Sequence, residues 1–415
     1  MATLKPVRGT QDVLPAENRQ LRYVESVAFG VAQIYGYGEI STPIFEFTDV
    51  FARTLGDTSD IVTKEMYSFE DRGGEGITLR PEGTAGVARA VMSGGLQQDL
   101  PLKLFYRGPM FRYERPQKGR RRQFGQVGVE LIGVAGPLAD IEVIALGHQF
   151  LDRLGVGAQV TLELNSLGDP QSRAAYRDKL VDYLQGFEDQ LSDDSRERLT
   201  RNPLRILDSK NEGDRKIIGG APVLSDCLND ESRDFFDAVK AGLEKLGIAF
   251  EINSRLVRGL DYYCHTAFEF TTNDLGAQGT VLAGGRYDGL FEQMGGRETP
   301  GIGWAAGVER LALLTGETVA APRPVAVVPV GNEAEAAALD LTQELRRAGV
   351  AVDLGYSGNM KKRMKRAGNL DARFAVLLGQ DELARGAATI RDMDSGEQSE
   401  VSLSQVAEHL RQSGA

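Results

Sequence analysis

Apolar residues recur at helical spacing from Leu21 through Val24, Val27, Ala28 and Val31 to Ile34, which predicts an amphipathic helix over 17–35 closed by Gly36 and Gly38. EISTPIFEF (39–47) follows as a strand interrupted by Pro43. A proline inside a strand marks an edge, or a place where pairing passes to another chain. Strand patterns then crowd together at 76–80, 102–108, 110–114 and 123–133. Connections of hairpin length between them predict an antiparallel sheet. Helical stretches interrupt at 82–92 and 139–153.

After LNSLGDP (164–170) the pattern changes. Residues 171–248 are rich in charge and helical period, and read as an inserted helical subdomain. Strand patterns return at 249–258, 263–271 and 279–284, and a helix is expected after Gly301–Gly303. TGETVAAPRP (315–324) has the composition of a linker. Beyond it, VAVVPV, a helix at 333–347, VAVDL, a basic helix near 359–367 and FAVLLG alternate as β-α-β-α-β. That alternation predicts a small α/β domain with a partly parallel sheet. In the basic helix Met360 and Met364, four apart, are expected to form its buried face.

One segment carries more than a strand needs. LVRGLDYYCHTAFEF (256–270) begins and ends as a half-buried strand, but its middle holds Arg258, Gly259, Asp261, Tyr262 and Tyr263. Glycine weakens a strand unless something approaches the backbone closely. An arginine beside it suits an anionic visitor. Adjacent tyrosines on a strand face opposite ways, so one is expected to pack while the other offers its hydroxyl. Asp261 is expected to partner a nearby cation.

Composition narrows the chemistry. The chain has 415 residues, 41% hydrophobic and 26% charged, which fits a soluble protein of two or three domains. No apolar run approaches the roughly 20 residues of a membrane span, and MATLKPVRGT lacks a signal-peptide core, so a cytoplasmic location is expected. The chain holds 2 cysteines and 3 histidines, too few and too scattered for a thiolate zinc site or a disulfide framework. Cys264 and His265 are neighbours on a strand and would face apart, which argues against a catalytic dyad. A net charge of −11 argues against indiscriminate nucleic-acid binding and makes local basic clusters informative.

The densest cluster is FYRGPMFRYERPQKGRRRQFGQVGVE (105–130), with Arg107, Arg112, Arg115, Lys118, Arg120, Arg121 and Arg122 around a turn at Pro116 and Gly119. Guanidinium forks match phosphate oxygens, and Phe124 offers an aromatic face to a base. Arg112-Tyr113-Glu114 with this loop resembles the second signature motif of class II aminoacyl-tRNA synthetases. GIGWAAGVER (301–310) resembles the third, and the helix leading into EISTPIFEF the first, with Pro43 where that class places a dimer-interface proline. RPEGT (80–84), LVRGLDYY (256–263) and AGGRYDGL (283–290) resemble the histidyl-tRNA synthetase family in particular.

The resemblance spans essentially the whole chain. It implies an α+β catalytic domain built on an antiparallel sheet (1–170 and 249–320), a helical insertion (171–248) and a C-terminal α/β anticodon-binding domain (326–415). It further implies histidine, ATP with Mg2+, and histidine tRNA as ligands, and a homodimer. Arg112 would bind the α-phosphate and the histidine carboxylate, with Arg258 approaching that phosphate from the far side, where other class II enzymes rely more on a metal ion. Glu114 would lie near the adenine, Phe124 and Arg310 on its two faces, and Arg120 at the γ-phosphate.

Glu82, Thr84 and Gln126 would hold the α-ammonium, and Glu130 and Tyr263 the two imidazole nitrogens. Tyr262 and Tyr287 would complete the histidine pocket. Gln117, Arg121 and Arg122 would reach the tRNA acceptor end. Structural alternatives stand beside these roles. Glu82 could serve the first turn of its helix, Tyr287 could pack, and Arg121 and Arg122 could be solvated. The loop departs from the family at Gly125, where histidine is frequent, and at Arg121, where an aromatic is frequent. The rival function is a non-catalytic, synthetase-like regulatory subunit of ATP phosphoribosyltransferase. Such relatives usually lack the catalytic arginine and the C-terminal domain, both present here.

Overall fold

The computed structural model describes residues 3–56, 61–116, 120–209, 211–257, 262–276, 279–316 and 319–414. The chain divides into two compact units, Met1–Val319 and Ala320–Ala415.

The first unit opens with α1 (Pro15–Ile34), as the apolar spacing predicts; Val24, Ala28 and Val31 are buried along one stripe. The expected strand at 39–47 is instead two short ones, β1 (Gly38–Glu39) and β2 (Phe45–Phe47), which join different sheets. Pro43 lies between them, where no ladder needs its missing N–H. Next come α2 (Thr48–Leu55), β3 (Tyr67–Glu70), β4 (Gly76–Leu79) and α3 (Thr84–Ser93). Strand β5 (Leu102–Phe111) runs unbroken through Gly108 and Pro109, where two strands were expected. Among the described residues no strand flanks its outer edge beyond Phe105, so the proline costs no ladder bond.

The chain returns in β6 (Gln123–Ile132), then forms α4 (Pro137–Arg153) and β7 (Thr161–Ser166). Helices α5 (Pro170–Gln185), α6 (Asp193–Arg201), α7 (Glu212–Gly219) and α8 (Asp230–Lys245) follow. Asp169, Ser192, Asn211 and Asn229 cap their N-termini through side-chain oxygens. Helices α5 to α7 gather around their own core of Tyr176, Leu180, Leu184, Leu199 and Ile218. Helix α8 instead lays Val239 and Leu243 into the core of the main sheet.

The strand expected at 249–258 shrinks to β8 (Glu251–Ile252), and β9 (Cys264–Thr271) begins only at Cys264. After β10 (Thr280–Arg286) and α9 (Leu290–Gln293) comes β11 (Gly301–Gly307), whose strand runs on past Gly303, after which a helix was expected. Helix α10 (Val308–Leu314) starts only after it. The large sheet is ordered β1-β5-β6-β11-β10-β9-β7-β8, antiparallel through its middle and parallel only at β1/β5 and β7/β8. A small antiparallel sheet, β2-β4-β3, stands beside it.

Period-two alternation separates the sheet's faces. Val127, Val129 and Leu131 of β6 and Ile302, Trp304 and Ala306 of β11 enter the core beneath α1, α4 and α10. The opposite face carries Gln126, Gly128 and Glu130, and Gly301, Gly303, Ala305 and Gly307. Side chains cover the glycines closely, Tyr106 over Gly128, Tyr287 over Gly301 and Glu130 over Gly303, and a cleft opens over Gln126, Ala305 and Gly307. The site lies on this face.

The second unit contains β12 (Val325–Pro329), α11 (Glu335–Arg347), β13 (Val352–Leu354), α12 (Met360–Asn369), β14 (Phe374–Leu378), α13 (Gln380–Ala384), β15 (Ala387–Asp392), β16 (Gln398–Ser402) and α14 (Val406–Gln412). Its sheet is ordered β13-β12-β14-β15-β16, with the first three strands parallel and the last two antiparallel. On α12 the expected methionine face holds only in part: Met364 is half-buried against Ala326, Val328 and Ala367, but Met360 is exposed, and Arg363 and Ala367 are the buried residues. The Arg363 guanidinium is drawn in by the Pro329 carbonyl and by Glu335 at 2.8 Å. These fixed acceptors outweigh the pull of an apolar side chain.

Candidate active site

The open face of the sheet holds a cleft of about 260 Å³. Glu82, Thr84, Arg112, Glu114, Arg120, Phe124, Gln126, Tyr262, Tyr263 and Arg310 all line it, and Arg121 reaches its rim. These residues come from the start of α3, the end of β5, the start of β6, the turn before β9 and the start of α10. The antiparallel order is what brings them together.

One end of the cleft is cationic. The Arg112 guanidinium donates to the Pro81 carbonyl at 2.9 Å and sits 5.4 Å from the Phe124 ring. Glu114 pairs with Arg120 at 2.5 Å. Arg310 donates to the Thr280 carbonyl at 2.7 Å. Burial lowers its pKa, and the positive fields of Arg120 and Arg112 push the same way while Glu114 opposes them. Three arginines close enough to oppose one another's charge form an end of the cleft suited to an anion.

The other end is a buried polar cluster. Glu82 accepts the backbone N–H groups of Thr84 at 2.6 Å and Ala85 at 2.8 Å, so it serves the first turn of α3 as well as the cleft wall. Glu130 lies behind that wall, 1% exposed. Its two oxygens accept from the Thr84 hydroxyl at 2.7 Å and the Tyr287 hydroxyl at 2.6 Å, so Tyr287 does more than pack. Burial pushes the Glu130 carboxyl up to about 8, against the pull of these two hydrogen bonds and with help from the Glu82 charge. The side-chain oxygen of Gln126 is buried without a hydrogen-bond partner among the described residues. A buried acceptor left unsatisfied calls for a polar ligand.

Tyr262 and Tyr263 do not face opposite ways. Both are buried, their rings 4.6 Å apart, because the strand begins one residue later and the alternation does not apply to them. The Tyr263 carbonyl accepts from Arg173 of α5 at 2.7 Å. Cys264 and His265 form no dyad: the thiol accepts from the Asp288 N–H, and the imidazole stacks on Phe235 at 4.8 Å. Burial, and then Asp288, push the thiol up to about 12, which leaves it inert.

The loop arginines are committed to the protein. Arg121 pairs with Glu17 of α1 at 2.6 Å. The Arg122 guanidinium lies 3.7 Å over the Tyr113 ring. Arg258, Gly259, Asp261, Gln117, Lys118 and Gly119 lie outside the described residues.

Sequence reasoning passed over three further groups here. Glu309 accepts the Gly125 N–H with both oxygens, at 3.0 and 2.9 Å, and so pins the backbone between Phe124 and Gln126. Glu269 lines the cleft and accepts from the Thr280 hydroxyl at 2.8 Å. Its signal was a lone charge between Phe268 and Phe270, which marks the face turned from the core. Beneath Tyr287, Arg286 is wholly buried with Asp140 and also bonds Asp288 at 2.9 Å. That anchor fixes where the Tyr287 hydroxyl meets Glu130.

The family model for histidyl-tRNA synthetase matches residues 9–311, and that for an anticodon-binding domain matches residues 324–413. The chain is 65% identical over 411 residues to a protein of Rhodospirillum rubrum named histidine–tRNA ligase, covering 99% of each. It is 57% identical over 410 residues to one of the same name from Gluconacetobacter diazotrophicus, again covering 99% of each. Among solved structures it is similar to apo histidyl-tRNA synthetase of S. aureus, with a TM-score of 0.83 and 37% identity over 98% of this chain and 99% of that one. With both matched regions in place and a cleft that is cationic at one end and buried-polar at the other, the chain belongs to the histidyl-tRNA synthetase family.

Proposed function

We propose that the protein is a histidine–tRNA ligase. It joins histidine to ATP as histidyl-adenylate, releasing pyrophosphate, and passes the histidyl group to the 3'-terminal ribose of histidine tRNA, releasing AMP. The observation that carries this reading is the juxtaposition in one cleft of Arg112, Arg120 and Arg310 with Glu82, Thr84, Gln126 and Tyr263, behind which Glu130 and Tyr287 are hydrogen-bonded to each other. The match at 324–413 favours it over the regulatory-subunit reading.

In the first step a histidine carboxylate oxygen attacks the α-phosphorus and the bond to the bridging oxygen of pyrophosphate breaks. The carboxylate is already ionised at neutral pH, so no general base is required. What the protein supplies is alignment of mutually repelling anions and stabilisation of charge at the α-phosphate. We assign Arg112 and Arg258 to that phosphate and to the histidine carboxylate, and Arg120 to the γ-phosphate. Phe124 and Arg310 flank the adenine, near Glu114.

At the other end Glu82, Thr84 and Gln126 suit the α-ammonium, while Glu130 and Tyr263, closed in by Tyr262 and Tyr287, suit the imidazole. Two polar partners for two ring nitrogens would be left unpaired by any other side chain, a basis for discrimination on the order of 10⁴–10⁵. Magnesium would arrive with ATP and keep phosphate and water ligands, and Glu114 and Glu269 are the carboxylates at hand in the cleft. No group of three His, Cys, Asp or Glu among the described residues is arranged to hold a metal ion by itself.

Gln117, Arg121 and Arg122 lie in the loop assigned to the tRNA acceptor end. The proposed domains are catalytic (1–170 and 249–320), helical insertion (171–248) and anticodon-binding (326–415). A cytoplasmic homodimer with Pro43 at its interface completes the reading. Among the described residues no helix is long and apolar enough to cross a membrane. The test is charging: purified protein with ATP, histidine and a histidine tRNA transcript should yield histidyl-tRNA and one AMP per ester formed. AMP release without the ester would refute the ligase reading.

A further inference from the structure

The inserted helices meet the cleft through the backbone of Tyr263. Residues 167–173, which lead out of β7 and into α5, bond the chain at 263–265 three times. Leu167 donates its N–H to the His265 carbonyl at 2.6 Å, and the His265 N–H donates to the Gly168 carbonyl at 2.9 Å. Arg173 donates to the Tyr263 carbonyl at 2.7 Å. Between these bonds His265 takes φ +43°, in the left-handed region that residues other than glycine rarely enter. Such a conformation persists only where the surroundings over-determine it. The Tyr263 ring cannot answer a backbone shift by turning. It packs on Tyr262 at 4.6 Å and over Gly285, where a Cβ would lie 2.8 Å from it. Where the Tyr263 hydroxyl points therefore follows from where its carbonyl is held.

Arg173 stands in the first turn of α5, where a cation works against the helix dipole, so helix stability does not select it. The turn that carries it is fixed in place. Asp169 accepts the Ser172 N–H at 2.8 Å and the Asn229 amide at 3.0 Å, and the Ser172 hydroxyl accepts the Asn229 N–H at 3.0 Å, which joins the start of α5 to the start of α8. The other side of the insertion is tied down as well. Arg255 donates to the carbonyls of Gly219 at 3.3 Å and Ala221 at 3.0 Å, at the C-terminal end of α7, where a cation is favoured. The Tyr176 hydroxyl of α5 donates to the adjacent Pro222 carbonyl at 3.1 Å. Helix α5 is thus a firm support from which Arg173 reaches Tyr263.

We propose that Arg173 is a positioning residue for amino-acid selection: by holding the Tyr263 carbonyl it sets where the Tyr263 hydroxyl meets the imidazole of bound histidine. The inserted helices then serve the histidine pocket as well as their own core. The assignment rests on the ligase reading, in which Tyr263 pairs an imidazole nitrogen.

The full chain is titrated with histidine, and separately with ATP, by calorimetry. The proteins compared are the wild type, Arg173→Ala, Arg173→Lys, Tyr263→Phe and the double variant Arg173→Ala/Tyr263→Phe. Arg173→Ala should weaken histidine binding about 10-fold, the scale of one lost hydrogen bond from a charged donor, and leave ATP binding as in the wild type. Arg173→Lys keeps a donor for the carbonyl and should fall between the two. In Tyr263→Phe the hydroxyl is already gone, so adding Arg173→Ala should weaken histidine binding no further. Unchanged histidine binding in Arg173→Ala, an equal loss of ATP binding, or losses that multiply in the double variant would each overturn the role. Histidine-dependent ATP–pyrophosphate exchange by the wild type tests the other reading. A protein that binds histidine without exchange would refute the ligase function, and the histidine titrations would still report on Arg173.

Discussion

Asn in place of Asp140 probes the anchor beneath the buried polar end of the cleft. Asp140 and Arg286 are both 0% exposed, and the guanidinium also reaches Asp288 at 2.9 Å and the carbonyls of Val134 at 3.0 Å and Gly136 at 3.3 Å. Burial alone would lower the Arg286 pKa, but Asp140 and then Asp288 outweigh it, so the guanidinium is charged. Burial raises the Asp140 pKa against the pull of Arg286, and it is the close contact of both Asp140 oxygens with that guanidinium that marks the pair as ionic. Removing one partner of a buried pair costs about 3–5 kcal/mol, because the other charge is left uncompensated. Asp288 and the two carbonyls remain, which places the cost of Asp140→Asn at the lower end, about 3 kcal/mol.

For a unit of this size about 2 °C is lost per kcal/mol, so the melting temperature of the first unit should fall by about 6 °C. Calorimetry on the full chain, with the two units followed as separate transitions, reads it. The same variant should raise KM for histidine, since Tyr287 follows Arg286 directly. A double change to apolar residues, Asp140→Leu with Arg286→Met, should recover much of the stability because it removes both charges. A shift below 1 °C in the single variant, or a double variant as unstable as the single one, would refute the reasoning.

Two further outcomes are expected. Glu130 has a folded pKa of about 8 against an ordinary 4.5, so the native state keeps a proton that the unfolded chain has lost. Its contribution to stability is complete below about pH 4.5 and is lost as pH rises to 8, with a slope approaching about 1.4 kcal/mol per pH unit. Urea unfolding at several pH values should show a shallower decline in Glu130→Gln, and superimposable slopes would contradict the assignment. Arg258→Ala should lower the rate of adenylate formation far more than it weakens histidine binding; equal losses would mean that it contributes uniform binding.

Much of the architecture is legible in the sequence because period-two and helical patterns report burial directly. QVGVE in β6 shows it: Val127 and Val129 enter the core, while Gln126 and Glu130 turn to the site. The misplaced elements have local physical causes. The stretch 304–307 was open to a helical reading because the site-facing positions of β11 are glycine or alanine. That smallness is imposed by the site: a Cβ on Gly303 would lie 1.9 Å from a Glu130 oxygen. No strand propensity records such a requirement. Tyr262 and Tyr263 look like alternating strand residues, yet they pack ring against ring in the turn before β9. Arg363 is buried beside Met364, while Met360 is exposed, because the Pro329 carbonyl awaits the guanidinium from a distant strand. The Glu309–Gly125 contact is equally non-local, joining positions 184 residues apart.

Pyrophosphate exchange into ATP, run with each of the twenty amino acids and no tRNA, tests the central claim most directly. Exchange with histidine alone, at least about 10⁴-fold above any other amino acid, is the result expected if Glu130 and Tyr263 pair the two imidazole nitrogens as proposed. Absence of exchange with histidine, or comparable exchange with another amino acid, would contradict it.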